Sequence, residues 1–360
     1  LKTVLNGIDK YDFSNLKKYN VGVIVNYSSV TRNLEHILDV LLKLGVKIRY
    51  IFTPEHGLYG IADGEKLKDS VHPVYNVPIV SLYGERFAIE RAILEELDVL
   101  IYDIQDVGLR YYTFIYTLAK ALESASGTHV RLDVLDRINP LGRKYFGPRI
   151  PEELNSTVGG YALPVRYGLT AGELALYYKK LLQLDVHLNV VKCEGWSGEF
   201  FSETDLLWNV PSPNIPTFQS ALCYAGMCIF EATNVSVGRG TTKPFEFFGA
   251  PWVNNNDMQS FLREKFPKLR VRKREFIPMF REYAGQVCYG VEFFPTVEDN
   301  FFEIAVELFK YLQKYDEFTF DNLRLDQLTG VKNFAFNPDK LLDFDLSDYF
   351  DFISDIILYR

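Results

Sequence analysis

The chain of 360 residues is 48% apolar and 24% charged, an ordinary globular composition, and it exceeds what one hydrophobic core comfortably serves, so two domains are expected. Its formal charge of −8 argues against a nucleic-acid or anionic-membrane surface, and no apolar run approaches the ~20 residues of a membrane span. Cys193, Cys223, Cys228 and Cys288 show neither CxxC pairing nor zinc-like spacing and read as buried free thiols rather than a disulfide framework. Nothing at the start has the form of a signal peptide; the sequence opens at Leu1 without a methionine, which is compatible with a leader already removed.

In chain order, Val21–Val25 reads as a strand, Leu34–Leu44 as a helix and Val46–Phe52 as a second strand. Pro78–Leu82 is a third strand, followed by a helical stretch from Ala88 to Leu97. Val99–Tyr102 is a fourth, Tyr112–Ser124 a long helix and Val130–Leu135 a fifth strand. Strands alternating with helices predict an α/β domain, a mostly parallel sheet with helices on both faces. Thr170-Ala171-Gly172-Glu173 has the form of a capping box opening an amphipathic helix through Leu182, which gives Glu173 a structural role. From Cys193 to Pro251 the chain is loop-rich and aromatic; regular patterns resume from Asp257, with helices near Phe301–Tyr315 and Leu346–Leu358. A boundary near residue 215 divides the chain into a sheet domain, 1–215, and a second domain, 216–360.

Ligand sites of open α/β sheets lie beyond the carboxyl ends of the strands. Those ends deliver Asn26, Glu55 with His56, Tyr83, Asp103 with Gln105 and Asp106, and Asp136 with Arg137. Any one of them reads equally well as a helix cap or loop polar group, but the set, converging on one edge, reads as a site. Glu55 is the leading acid–base candidate. It follows an apolar strand, stands between Pro54 and Gly57, and has Gly60 and Gly64 nearby, a loop that lets a ligand approach the backbone.

Several chemistries lack their signatures. The turn Asn26-Tyr27-Ser28-Ser29 has no glycine with which to approach a pyrophosphate, which argues against a nicotinamide or flavin. Gly238–Lys243 lacks the Walker spacing and is followed by Pro244, so it reads as a tight loop presenting Arg239. No GxSxG elbow is present. His56, Asp103, Asp106 and Asp136 could surround a cation, but no HExxH, HxH or DxDxD pattern supports that, and no metal or other cofactor is expected.

Two further clusters frame Glu55. In Asp103–Tyr112, Asp103, Asp106, Arg110 and Tyr111 suit a hydroxyl-rich ligand, carboxylates accepting from sugar hydroxyls and aromatic faces stacking on the ring. A salt bridge from Arg110 to Asp106 explains Arg110 equally well. In Glu231–Gly240, Glu231, Asn234 and Arg239 would form one wall of an interdomain cleft, and the rigid turn before them brings Asn214 within reach of a ligand.

Taken together, PEHG (Pro54–Gly57), DIQDVGxRxYT (Asp103–Thr113), DRxNPLG (Asp136–Gly142), PSPN (Pro211–Asn214), TNxSVGRGTxxPFExxGAPW (Thr233–Trp252) and YAGxxCxGV (Tyr283–Val291) resemble the exo-β-N-acetylmuramidases of the NamZ type. The blocks occur in one order over most of the chain. The resemblance implies a Rossmann-like amino-terminal domain, a smaller carboxy-terminal α+β domain and an active-site cleft between them. It implies release of N-acetylmuramic acid from the non-reducing end of peptidoglycan fragments, with the PEHG glutamate, Glu55, as the catalytic carboxylate. Relatives often carry a histidine near Tyr27 and an arginine near Tyr59, so recognition in those loops is expected to differ. They also commonly carry an export signal, so the expected location is extracytoplasmic, with a cytoplasmic one as the alternative.

On that resemblance Glu55 protonates the departing oxygen, with His56 or a nearby carboxylate tuning it. Glu231, Asp103, Asp106 and Glu246 remain open as the second carboxylate, and the substrate's own acetamido group could replace it. The lactyl carboxylate of muramic acid calls for a guanidinium fork, and Arg110, Arg166 and Arg239 are the candidates. A metal-dependent hydrolase using the acidic strand ends, and a non-catalytic cell-wall saccharide-binding protein, are the competing readings.

Overall fold

The structure, a computed structural model, describes residues 1–61, 68–84 and 86–360; Gly64, one of the glycines near Glu55, lies outside the described residues. The apolar runs become strands β1 (Asn20–Val25), β2 (Lys47–Thr53), β3 (Ser70–Val71), β4 (Pro78–Ser81), β5 (Val99–Asp103) and β6 (Arg131–Leu135). A hairpin of β7 (Phe146–Arg149) and β8 (Pro164–Arg166) follows, and then β9 (His187–Val191). Among the described residues one sheet has the order β3-β4-β2-β1-β5-β6-β9, parallel throughout except for β3. Strand order reverses at β1, the topology of a doubly wound sheet.

Such strands are apolar on both faces because both faces are covered. Val21, Val23 and Val25 pack with Leu41, Ile51 and Ile101 on one side. Ile24, Phe52, Leu100 and Tyr102 face the other, joining a core that runs on through Phe114 and Tyr167 to Phe230, Phe248 and Phe309. The sheet domain and the carboxy-terminal half therefore share one continuous apolar interior. That interior fixes the spacing of the loops above it.

The carboxy-terminal half holds a three-stranded antiparallel sheet, β10 (Phe247–Ala250), β11 (Val271–Phe276) and β12 (Cys288–Phe293), in the order β10-β12-β11. The helix Phe218–Met227 crosses the helix Phe301–Leu312 closely. A Cβ placed on Gly226 would stand 1.8 Å from the carbonyl oxygen of Phe301, so only a glycine fits that crossing. The last segment returns to the sheet domain. Tyr349 donates its hydroxyl to the Tyr167 carbonyl at 2.8 Å, and Tyr359 donates to Asp136 at 2.5 Å.

Three features differ from the sequence expectation. The stretch Ala88–Leu97 contains only one helical turn, Arg91–Leu94, because the chain at Asp98 is drawn into β5 by mutual bonds with Asn20. Strand β9 was not foreseen, since His187-Leu188-Asn189-Val190-Val191 at a sheet edge lacks a fully apolar pattern. The small sheets were missed for a related reason: Val271–Phe276 carries four charged residues between its two buried ends. The capping box at Thr170 forms as expected, with Thr170 Oγ1 accepting from Glu173 N and Glu173 Oε2 accepting from Thr170 N.

Replacing Gly226 by alanine should force the two helices apart and cost about 1–3 kcal/mol or more, as overpacking does. Thermal or denaturant unfolding measures it, and a variant as stable as the parent would contradict the close crossing.

Candidate active site

At the end of β2 the chain turns sharply, Gly57 N donating to the Pro54 carbonyl at 3.1 Å. His56 and Gly57 both lie in the left-handed region, with φ of +70 and +72. For a non-glycine residue such as His56 that conformation is uncommon and costs on the order of 1–2 kcal/mol, a strain typical of functional loops. The turn carries Glu55 over the sheet edge into a cleft of about 350 Å³. His56, Tyr83, Tyr112, Thr113 and Asn214 line it from the sheet domain. Glu231, Arg239, Arg281 and Arg324 line it from the carboxy-terminal half.

Glu55 is held by a hydroxyl donor: its Oε2 accepts from the Thr113 hydroxyl at 2.6 Å, and the Tyr83 phenol stands in the same cleft. Burial, and after it the negative charge of Glu55, push the Tyr83 phenol upward, so that it keeps its proton. His56 sets its ring edge-on to Phe114 at 6.4 Å between centroids. Glu231 is held differently. Its Oε1 is ion-paired to Arg239 Nη1, and its Oε2 lies 3.7 Å from the Cys228 thiol, which donates to it. Burial, then the Glu231 charge, push that thiol up.

The structure brings together Glu55, His56, Tyr111, Asn214, Glu231 and Arg239 of the residues picked out in the sequence. It does not bring the others to this cleft. Asp103 is buried in a bidentate pair with Arg137, at 2.6 and 2.9 Å, and Arg137 also donates to the Val30 carbonyl. Gln105 donates to the carbonyls of Asp106 and Ile138 and, with Arg137, lines a separate cavity. Asp106 accepts from the Tyr167 hydroxyl and from Gly108 N. Asp136 gathers Tyr359, Thr170 and Gly172. Asn26 accepts from both the amide and the hydroxyl of Ser28.

Arg110 does not pair with Asp106. It is fully buried and donates to the carbonyls of Pro148, Leu163 and Leu328 at 2.8–3.0 Å. Arg166 is turned away toward the Leu141 carbonyl and the Phe200 ring. Asn234 bridges Glu317 and Thr319 in the backbone, and Glu246 is buried against Thr217, Ser220 and Lys243. These side chains bond to loop backbone and to neighbouring side chains away from this cleft, as buried polar groups commonly do. The same commitments separate Asp103, Asp106 and Asp136 from one another. Among the described residues no three His, Cys, Asp or Glu side chains are grouped to hold a metal ion, so the ligand set of the metal-hydrolase reading does not form.

Tyr83, one of the strand-end residues grouped in the sequence as a site, also reaches the cleft. Thr113, Arg281 and Arg324 were not singled out, although Thr113 closes the DIQDVGxRxYT run. Arg281 and Arg324 come from distant segments with no local signature.

The family description exo-beta-N-acetylmuramidase NamZ, N-terminal, matches residues 21–219, and its C-terminal counterpart matches residues 222–337. Over 291 residues the chain is 38% identical to the peptidoglycan beta-N-acetylmuramidase NamZ of Bacillus subtilis, covering 79% of this chain and 70% of that protein. A DUF1343 family protein of Bacteroides fragilis has a similar structure, with a TM-score of 0.86 at 27% identity over 99% of both chains. A second from the same organism gives 0.79 at 25% identity, again over 99% of both.

Burial pushes the Asp106 carboxyl up to about 6. An unfolded chain releases that proton near pH 4, so between those values the folded protein holds more protons and this residue's contribution to stability falls as pH rises. Asp106→Asn, which mimics the protonated acid, should therefore gain stability relative to the parent between pH 4 and 6 and change little above that. Parallel stability–pH curves for the two proteins would refute it.

Proposed function

The chain belongs to the exo-β-N-acetylmuramidase NamZ family, and on that footing we propose that it releases N-acetylmuramic acid from the non-reducing end of peptidoglycan fragments, with Glu55 as general acid. The observation that carries the assignment of Glu55 is its position. It leaves a strand end for an open cleft, held by the Thr113 hydroxyl and beside Tyr83, with Glu231 contributed by the other half of the chain.

Cleaving a glycosidic bond requires a proton on the departing oxygen while positive charge develops on the sugar carbon. A carboxyl group that gives and regains a proton needs neighbours that tolerate both forms. Hydroxyl groups do, since each can donate to the carboxylate or turn and accept from the acid. Thr113 and Tyr83 are such neighbours. Glu231 faces a guanidinium, which only donates, and its role on this reading is to stand as a carboxylate near the developing positive charge.

The glycone is anionic through its lactyl group. Arg239, Arg281 and Arg324 stand on the cleft wall, and a guanidinium suits a carboxylate through paired, charge-assisted bonds. This reading therefore keeps Arg239 from the sequence candidates and adds Arg281 and Arg324 in place of Arg110 and Arg166.

Glu55→Gln should lower kcat on a muramyl saccharide by roughly 10²–10⁴, the usual worth of a general acid, while leaving substrate affinity largely intact. The loss should be much smaller on a dinitrophenyl muramide, whose leaving group departs without a proton. Normal turnover of the saccharide by this variant would falsify the assignment. Arg324→Met should lower kcat/KM on a chromogenic N-acetylmuramide by roughly tenfold to a hundredfold, as loss of a charged hydrogen bond does. Any residual turnover of the matching glucosaminide should be unaffected; equal loss on both would remove Arg324 from carboxylate recognition.

A further inference from the structure

Beside the polar cleft lies a second space of about 790 Å³, more than twice the volume of the cleft at about 350 Å³. Its character is different. Phe87, Tyr116, Ile150, Tyr161 and Leu182 give it apolar walls, and the rings of Tyr116 and Tyr161 stack at 6.0 Å with an interplanar angle of 24°. Phe87 is exposed and meets Tyr83 edge-on at 5.8 Å. Of its three charged side chains, Lys120 and Glu123 are matched, Lys120 Nζ lying 2.6 Å from Glu123, whose other oxygen accepts from the Tyr161 hydroxyl at 2.7 Å, and Glu152 is exposed.

The two spaces meet at Tyr83, Thr113 and Thr157, which line both. Thr113 is the hydroxyl donor to Glu55, and Tyr83 shares the cleft with it. Glu55 therefore stands at the boundary of an arginine-lined cleft and an aromatic groove.

We propose that this groove binds the leaving-group side of the saccharide, beginning with the uncharged N-acetylhexosamine joined to the departing muramic acid. The inference rests on the muramidase reading above and deepens it. A general acid delivers its proton to the oxygen joining the two sugars, so the glycone and the leaving sugar must lie on opposite sides of it. The anionic glycone belongs with the arginines. A neutral pyranose, apolar on its C–H face, belongs with stacked aromatic rings, which bury that face and need no counter-charge. The groove's larger volume leaves room for the chain to continue beyond the first leaving sugar, as an enzyme attacking from one end requires.

The test compares two substrates with the same glycone. N-Acetyl-β-muramyl fluoride has no leaving sugar, whereas β-linked N-acetylmuramyl-N-acetylglucosamine places one in the groove. Phe87→Ala removes an exposed ring without opening the core, and Asn155→Trp, at an exposed position on the groove wall, fills it. Each should lower the ratio of kcat/KM for the disaccharide to that for the fluoride by about tenfold, the scale of a buried aromatic contact. An unchanged ratio in both variants overturns the assignment. So does a ratio that shifts only for substrates carrying a stem peptide on the lactyl group, which would give the groove to peptide. If the parent protein hydrolyses neither substrate, the muramidase reading itself has failed, an outcome separate from these.

Discussion

The cleft depends on one buried guanidinium. Arg110 leaves the loop that ends in Thr113, the donor to Glu55, and reaches the carbonyls of Pro148 and Leu163 at the β7–β8 hairpin. It also reaches Leu328 in the helix Asn322–Thr329, which carries Arg324. Taking such a charge out of water costs several kcal/mol, and the carbonyl dipoles offset that cost only if all of them are in place. Burial pushes Arg110 down to about 10, so it stays charged at neutral pH and its bonds stay charge-assisted. Gly330 completes the arrangement. It closes the helix in the left-handed conformation, and a Cβ there would stand 2.8 Å from Arg110 Nη2. One side chain thus fixes the spacing between the halves that contribute Glu55 and Arg324.

The other strand-end charges extend this principle. Asp103 with Arg137, Asp106 with Tyr167 and Asp136 with Tyr359 each tie the end of a strand to a distant loop or to the returning carboxy terminus. A parallel sheet leaves a row of polar loops at its carboxyl edge, and the continuous apolar core beneath gives those loops no water to bond. Carboxylates and arginines satisfy them at long range. The residues that face the cleft are those that escape this lattice. Glu55 does so because the turn at His56 and Gly57 lifts it clear of the sheet.

This explains what was legible in the sequence. The alternation of strands and helices was readable because fully covered strands are apolar throughout, and the position of Glu55 at a cleft was readable because its loop pairs a strand end with glycines. Asp103, Arg110 and Asp136 were misplaced because residue type reveals that a charge needs a partner but not whether the partner is a ligand or a carbonyl. Arg110 is the clearest example: next to Asp106 in sequence, it bonds to carbonyls as far away as Leu328. The arginine wall was only partly foreseen, since Arg281 and Arg324 reach the cleft through the packing of the whole carboxy-terminal half. Strand β11 was hidden because a half-exposed antiparallel strand intersperses charge with apolar positions.

Two of the carboxylates that line the cleft, Glu55 and Glu231, differ in a way that bears on the proposed chemistry. Both are glutamates and both stand where the halves of the chain meet, so position alone does not divide the work between them. Their neighbours do. Thr113 donates its hydroxyl to Glu55, whereas Arg239 holds Glu231 in an ion pair through a fixed fork of N–H groups. Placement follows the same division: Thr113, the donor to Glu55, also lines the aromatic groove, while Glu231 stands on the wall that carries Arg239, Arg281 and Arg324.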